Sequence, residues 1–366
     1  MAAADTVRIC AGGDVTLGTN LDTAWARRMT GGVPDALAAL RAPDTLALPL
    51  RGLMGSAGVV VLNAEGAIGE GPVTETKCTL GRRFCYLLRM PVSAAWALRG
   101  IADTPAVVVA NVANNHTHDA GEAGFRATLA ILDSAGVRVT GADTVPTLVP
   151  VGDRDTLAVL GFSSWSSPGV ADTDAVRRVV ARAAARYRWV IVTAHLGAEG
   201  RQAQHTGDSV EHFAGEIRGN AVAFARAAAD AGAQLVIGHG PHVLRAAEWW
   251  HGALIFYSLG NLVDYGPFGL GEPMRRGAVA CATLDSTGAV RDVVLRATRQ
   301  FLPGAVAPDP ERRALKLVSM LSRADFPITG VAVDRATGVV SRFRPSTTSR
   351  PAPAPAGPTP PPPSRR

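Results

Sequence analysis

Residues 107–121 read VVVANVANNHTHDAG. Val107 to Val109 open an apolar, β-branched run of the kind that forms a strand buried on both faces. Directly behind it stand Asn114, Asn115, His116, His118 and Asp119, a cluster of amide, imidazole and carboxylate groups. A buried strand whose exit is crowded with such groups points to a sheet whose loops carry chemistry. The rest of the chain repeats the arrangement.

Short apolar runs recur as TVRICAG (6–12), GVVVLN (58–63), VRVTG (137–141), TLAVLGF (156–162), WVIVTAH (189–195), QLVIGHG (234–240), ALIFYSLG (253–260) and GAVACATL (277–284). Apolar residues fall at helical spacing over 122–135, 173–187 and 217–231, and again over 309–323. This alternation defines α/β layers. From Val243 to Arg299 the strands follow one another without a helix, which predicts an antiparallel or mixed part of the sheet. The expected organisation is a domain over 5–300, an extension over 301–343 packed on it, and a Pro-rich tail over 344–366. The tail's Pro, Ser and Thr content favours extended, unpacked conformations. It suits an SH3-like partner, although a solvated tail is the more frequent meaning of such a segment.

Composition narrows the function classes. A chain of 366 residues with 47% hydrophobic content buries one large core or two modest ones. Of its formal charge of +6, four arginines belong to the acid-free tail from Arg344 onward, so the rest carries only +2. No nucleic-acid partner is expected. Cys10, Cys78, Cys85 and Cys281 form no C-x-x-C pair, so reduced cysteines are the expectation, with a Cys78–Cys85 bridge left open. No apolar run approaches the length of a membrane span and no leader pattern opens the chain, which together predict a cytoplasmic protein.

Five strand ends carry candidate ligands: Asp14, Asn63 with Glu65, Asn115 with His116, His195, and His239 with His242. Loops that leave the carboxyl ends of parallel strands line one crevice, so these residues can converge across two hundred positions. Taken singly, Asp14 reads as a turn or cap and His195 as an ordinary buried histidine; convergence favours a metal centre. Oxygen and imidazole donors without thiolate suit Mn, Fe or Zn in a catalytic site. The donors exceed the needs of one ion, so two divalent ions are expected, and hydrolysis of a phosphoester or related bond is the implied chemistry. Asp119 either orients His116 or caps a helix beginning near Gly121, the cap being slightly favoured. Glu199 either holds His195 or is a surface acid, and Asn261 faces the crevice or fills a turn. His118, His205, His212 and His251 read as surface histidines, the polar stretch 200–216 as a lid. Arg82, Arg83 and Arg201 are weak candidates for gripping an anionic substrate.

The motifs GGDVTLG (12–18), NAEG (63–66), ANNHTHDAG (113–121), HLGAE (195–199) and the run from GAQLVIGHGPH to SLGN (232–261) resemble, as a set and in order, the poly-gamma-glutamate capsule synthesis family of CapA-type proteins, which belongs with the calcineurin-like metallophosphatase fold. The resemblance covers residues 6–263. It implies a layered α/β sandwich of the metallophosphatase type with mixed β-sheets and a metal centre at the strand ends. It also implies Asp14 and Asn115 as ligands, Glu65 as the bridging carboxylate, His116 as general acid, and His195, His239 and His242 as nitrogen ligands. Three positions depart from the pattern: no histidine accompanies Asp14, Gly240 stands where a histidine is common, and Leu196 where an aromatic is common. These make His242 the safer ligand of its pair. The expected function is metal-dependent hydrolysis of an anionic small-molecule or polymer substrate in capsule or cell-envelope polymer metabolism. The alternatives are a small-molecule phosphoesterase and a non-catalytic scaffold that binds poly-gamma-glutamate.

Overall fold

Alternate residues of the first strand point into different cores, and this alternation lays out the molecule. In β1 (Val7–Leu17), Val7, Ile9 and Ala11 enter one apolar cluster, while Cys10 enters another on the opposite face. The computed structural model describes residues 6–18, 48–74, 86–265, 271–301 and 304–343. Its further main strands are β2 (Val59–Ala64), β3 (Val107–Asn111), β4 (Arg138–Thr140), β5 (Thr147–Val151), β6 (Asp155–Ser163), β7 (Trp189–His195), β8 (Leu235–His239), β9 (Ala247–Trp250), β10 (Ala253–Phe256), β11 (Asn261–Tyr265), β12 (Arg276–Leu284), β13 (Val290–Phe301) and β14 (Ala305–Pro308).

Two mixed sheets result. The eight-stranded sheet runs β14-β13-β12-β1-β2-β3-β4, with β11 also paired to β1; the six-stranded sheet runs β9-β10-β8-β7-β6-β5. The centre of each is parallel, β1-β2-β3-β4 in one and β10-β8-β7-β6 in the other, and the antiparallel strands lie outside it. Val59, Val61 and Val109 of the first sheet meet Leu157, Val159, Ile191, Leu235 and Ile237 of the second in a shared core. The outer face of the first sheet is covered by α1 (Ser93–Arg99) and α2 (Gly121–Ser134), through Ala94, Leu98 and Leu132. The outer face of the second is covered by α3 (Thr173–Ala184) and α4 (Ala221–Asp230), through Val176, Val180, Val222 and Phe224. Strands buried on both sides explain the unbroken apolar runs of the sequence. The fold is a layered α/β sandwich.

A further helix, α5 (Arg313–Asp325), sends Ala314, Leu315 and Val318 into the core shared by the two sheets. Two expectations need correction. The helical spacing over 217–231 begins too early: Glu216–Gly219 is a strand paired with Glu211–Phe213, and α4 starts only after Asn220, whose side chain accepts from Ala223 N at 3.0 Å. The left-handed φ of Gly219 breaks the backbone there. Nor are all the cysteines reduced. Cys10 and Cys281 face each other across the antiparallel β1–β12 ladder and form a disulfide, a juxtaposition made by strand register that no spacing motif reports. Cys78, Cys85, Arg82, Arg83 and the tail 344–366 lie outside the described residues. Among the described residues no helix is long and apolar enough to cross a membrane.

Candidate metal centre

The site forms where β1, β2, β7 and β8 end, and glycines let the chains come close enough to build it. A Cβ on Gly13 would lie 1.7 Å from the Gly260 carbonyl, and Asp14 N donates to that same oxygen at 3.1 Å. Only glycine at 13 allows β11 to close against β1, and the irregular register on either side of Asp14 turns its carboxylate into the crevice. Gly240 has a φ of 105°, and a Cβ there would come within 3.0 Å of His195 Nε2. A side chain at 240 would be strained in this turn as it stands.

Asp14, Glu65 and His242 are buried together, with one ligand-capable atom of each within 4.8 Å of the others. His242 Nδ1 lies 3.3 Å from Asp14 Oδ2 and its Nε2 lies 3.6 Å from Glu65 Oε1. His195 Nε2 is 3.9 Å from Glu65 Oε1, and His239 Nδ1 is 3.9 Å from Asp14 Oδ1. Glu65 Oε1, His195 Nε2 and His239 Nδ1 are buried without a hydrogen-bond partner among the described residues. Unsatisfied buried polar atoms are costly, and a carboxylate oxygen without a partner among the described residues, set beside buried imidazoles, fits a cation. This cluster can hold a metal ion.

Amides wire the cluster together. Asn63 Nδ2 donates to Asp14 Oδ1 at 2.8 Å and lies 3.0 Å from His195 Nδ1. Asn63 Oδ1 accepts from Asn111 at 3.1 Å and from Asn114 at 3.4 Å. With its amide so oriented, Asn63 donates to His195 Nδ1, and the neutral His195 ring carries its proton on Nε2, facing Glu65. His239 Nε2 lies 2.8 Å from the Thr193 hydroxyl, which can donate or accept, and its Nδ1 faces Asp14. His242 Nδ1 lies 2.9 Å from Asn261 Oδ1, and Asn261 Nδ2 donates to Asp264 Oδ2 at 3.0 Å. Asn63 and Asn261 were visible in the sequence as strand-end amides, but nothing there revealed them as supports for ligands.

Burial and mutual charge set the protonation of the group. Burial works to raise Asp14, but the hydrogen bond and charge of His242, with His195 and His239, hold its carboxyl well below the usual range. Glu65 goes the other way, because burial and the neighbouring carboxylates outweigh the pull of His242. Burial pushes His239 down to about 4 and His195 well below its ordinary value. Burial also opposes charge on His242, yet Glu65, Asp14 and Glu199 raise it well above 6.5. Asp264 is pushed up to about 7, mainly by burial.

The 107–121 segment supplies a second group. His116 Nδ1 is 2.7 Å from Asp119 Oδ2, and that oxygen also accepts from Leu88 N at 2.5 Å. Asp119 thus orients His116 and does not cap α2, whose N-cap is Ala120 with no side-chain cap bond. Asn114 Oδ1 accepts from His116 N at 3.0 Å while its amide donates to Ala64 O at 2.9 Å, linking this turn to the strand end that bears Glu65. Asn115 is half-buried beside them. A cavity of about 410 Å³ opens next to the cluster, lined by Asn114, His118, Phe125, Ser163 and Trp165 among others, with the Trp165 ring 5.9 Å from that of His195.

Residues expected at the surface are there: His118, His205, His212 and His251 are exposed. The stretch 200–216 is held down. Arg245, itself buried, donates to Ala203 O at 2.6 Å and pairs with Glu211, and Asp325 accepts from Thr206 N at 2.9 Å. Glu199 meets Arg218 at 2.5 Å and lies 3.9 Å from His242 Nε2, so its neighbour in the cluster is His242 and not His195.

Fold and site together define a layered α/β protein with a buried carboxylate–imidazole centre at the carboxyl ends of its parallel strands. The model of the family described as bacterial capsule synthesis protein PGA_cap matches residues 8–265, and the chain belongs to that family. It is 31% identical over 177 residues to the PGA biosynthesis protein CapA of Bacillus subtilis (strain 168), a match covering 42% of each chain. It is 27% identical over 175 residues to the capsule biosynthesis protein CapA of Bacillus anthracis, covering 42% of this chain and 39% of that one. A probable polyglutamine synthesis accessory protein of Mycobacterium tuberculosis (strain ATCC 25618 / H37Rv) is 30% identical over 184 residues, covering 43% of this chain and 45% of that one. The matched part is thus less than half the length of each of these relatives.

Proposed function

We propose that this chain is a metal-dependent hydrolase that acts on an anionic substrate in poly-gamma-glutamate or capsule polymer metabolism. The observation that carries this reading is the Asp14–Glu65–His242 cluster, whose ligand-capable atoms crowd within 4.8 Å in a buried crevice and include a Glu65 oxygen with no hydrogen-bond partner among the described residues. Asp14, Glu65 and His242 would form the centre of the ligand set, with His239 and Asn115 at its edges, while His195, whose Nδ1 is taken by Asn63, would turn its Nε2 proton toward Glu65. Divalent ions such as Mn, Fe or Zn supply Lewis acidity and an activated water in sites of this kind.

The remaining work falls to the protein. Asp119 accepts from His116 Nδ1, which fixes the tautomer and leaves Nε2 to take up or deliver a proton as general acid or base. Asn63 holds Asp14, and Asn261 holds His242, so neither ligand has to be ordered when substrate arrives. The cavity beside Trp165 offers room for the substrate next to the cluster. The relatives named for PGA and capsule biosynthesis support the polymer context. Elemental analysis of the purified chain, paired with phosphodiester and phosphomonoester assays in added manganese, tests the reading. Absence of both stoichiometric metal and turnover, with retention on polyglutamate that chelator does not change, would replace it with a scaffold role.

A further inference from the structure

We infer that Glu199 is a further carboxylate ligand of the metal centre, held in position by Arg218. The inference rests on the metal-centre reading above and extends its ligand set.

The loop that leaves β7 is pinned at three points around this residue. Leu196 N donates to His239 O, Gly197 N to Arg218 O and Gly200 N to Pro241 O, each at 2.9 Å. The last bond ties the loop to the turn that carries His242. Gly197 and Gly200 have φ of 91° and 95°, so the chain bends sharply on both sides of Ala198 and Glu199. A surface acid with no task needs no such rail.

The carboxylate itself is divided between two neighbours. Oε1 accepts from Arg218 Nη1 at 2.5 Å, and Oε2 lies 3.9 Å from His242 Nε2, the atom that stands 3.6 Å from Glu65 Oε1. That Glu65 oxygen is buried and has no partner among the described residues. One oxygen held by a guanidinium and the other facing the buried Glu65–His242 pair is the arrangement of an oriented monodentate ligand.

Arg218 is built in accordingly. Its guanidinium carbon lies 4.7 Å from the Trp165 ring and 5.2 Å from the Phe213 ring, and its Nη2 is 3.4 Å from Glu216. Burying a guanidinium is expensive unless its geometry serves its partners well. Stacking between two aromatic faces fixes the fork that fixes Glu199. Arg218 is then a positioning residue for the centre, one step removed from the ion.

The test is titration of the chelator-stripped full chain with MnCl2 by calorimetry, with Mn(II) electron paramagnetic resonance as a second readout. Glu199→Gln keeps the size and an acceptor for Arg218, and is expected either to lose one Mn equivalent or to bind at least about tenfold more weakly, the effect usual for a lost ligand or its support. Arg218→Met is expected to weaken Mn binding with Arg218→Lys recovering part of it, a graded response in metal affinity that a purely structural arginine would not give. Melting temperatures of the stripped proteins show whether each variant is folded, and Glu199→Asp, which withdraws the oxygen while keeping the charge, serves if Glu199→Gln is not. A folded Glu199 variant with wild-type stoichiometry and affinity overturns the inference. A wild-type chain that takes up no Mn overturns the metal-centre reading and this inference with it.

Discussion

His242 Nδ1 lies 2.9 Å from the side-chain oxygen of Asn261, and the amide of that asparagine is directed at Asp264 Oδ2, 3.0 Å away. The second bond sets which end of the amide faces the histidine, so Nδ1 holds a proton toward Asn261, and Nε2, the nitrogen that has to give up its proton to bind a metal, faces Glu65. An asparagine from β11 therefore decides how a histidine on a distant loop presents itself. Asn261→Ala should lower Mn affinity about 10- to 100-fold, the range found when a support of a metal ligand is removed. Calorimetric titration checks this, and an unchanged affinity would show that the His242 orientation does not depend on Asn261.

His116 and His242 should separate cleanly. His242 stands in the cluster, so His242→Ala should lose bound metal together with activity. His116 is held by Asp119, so His116→Ala should keep its metal and lose turnover by roughly 10²- to 10⁴-fold, the usual contribution of general acid–base catalysis. Elemental analysis beside a phosphoesterase assay distinguishes the two. Equal metal loss in both variants would make His116 a ligand.

Asp119→Ala should act on both activity and stability. One oxygen, Oδ2, meets both His116 Nδ1 and the Leu88 N–H, so removing the carboxylate takes the acceptor from two buried donors at once. A loss of about 1–3 kcal/mol in denaturant unfolding is expected for a buried donor left unsatisfied, alongside reduced turnover at unchanged metal content. Full activity in Asp119→Ala would reduce Asp119 to a tether for the 86–88 segment.

The strands and the convergence of Asp14, Glu65, His195, His239 and His242 were legible because a strand buried on both faces is an apolar run, and because parallel strands deliver their ends to one edge. What the sequence concealed depends on register and side-chain direction. Asn261 supports His242 only because β11 is paired to β1 at Asp14, a pairing that no local pattern encodes. Ile217 sits at helical spacing but is exposed on a two-stranded hairpin, since periodicity cannot distinguish an apolar residue that is buried from one that is not. The role of Asp119 was ambiguous for a related reason: the same residue type caps helices and orients histidines.

The Cys10–Cys281 bond should stabilise the first sheet. Its sulfurs join residues 271 positions apart, both fully buried, between strands that already pair. Cys10→Ala with Cys281→Ala should cost about 2–5 kcal/mol of unfolding free energy, chiefly by freeing a long loop in the unfolded chain. Urea unfolding of the double variant beside the wild type measures it, and thiol counting under denaturing conditions without reductant should find neither cysteine reactive in the wild type. Such a bond persists where thiols are oxidised and not in a reducing cytosol, which runs against the cytoplasmic expectation. Two reactive thiols at positions 10 and 281 in protein taken from its native compartment would remove that objection.

Gly13→Ala should be among the most damaging small substitutions in the chain. The added methyl would lie 1.7 Å from the Gly260 carbonyl oxygen, and the obstacle is backbone, which no rotamer change can move. Either β11 separates from β1 or Asp14 is displaced, and Asp14 N would then lose its bond to the same carbonyl. Overpacking of this kind costs about 1–3 kcal/mol or more, and the displacement reaches both Asp14 and, through the 14–261 register, Asn261. Gly52→Ala, at a position with nothing within 4 Å, is the matched control and should melt close to wild type. If Gly13→Ala melted like Gly52→Ala and bound Mn with wild-type affinity, the close approach of Gly13 to Gly260 would have no part in shaping the site.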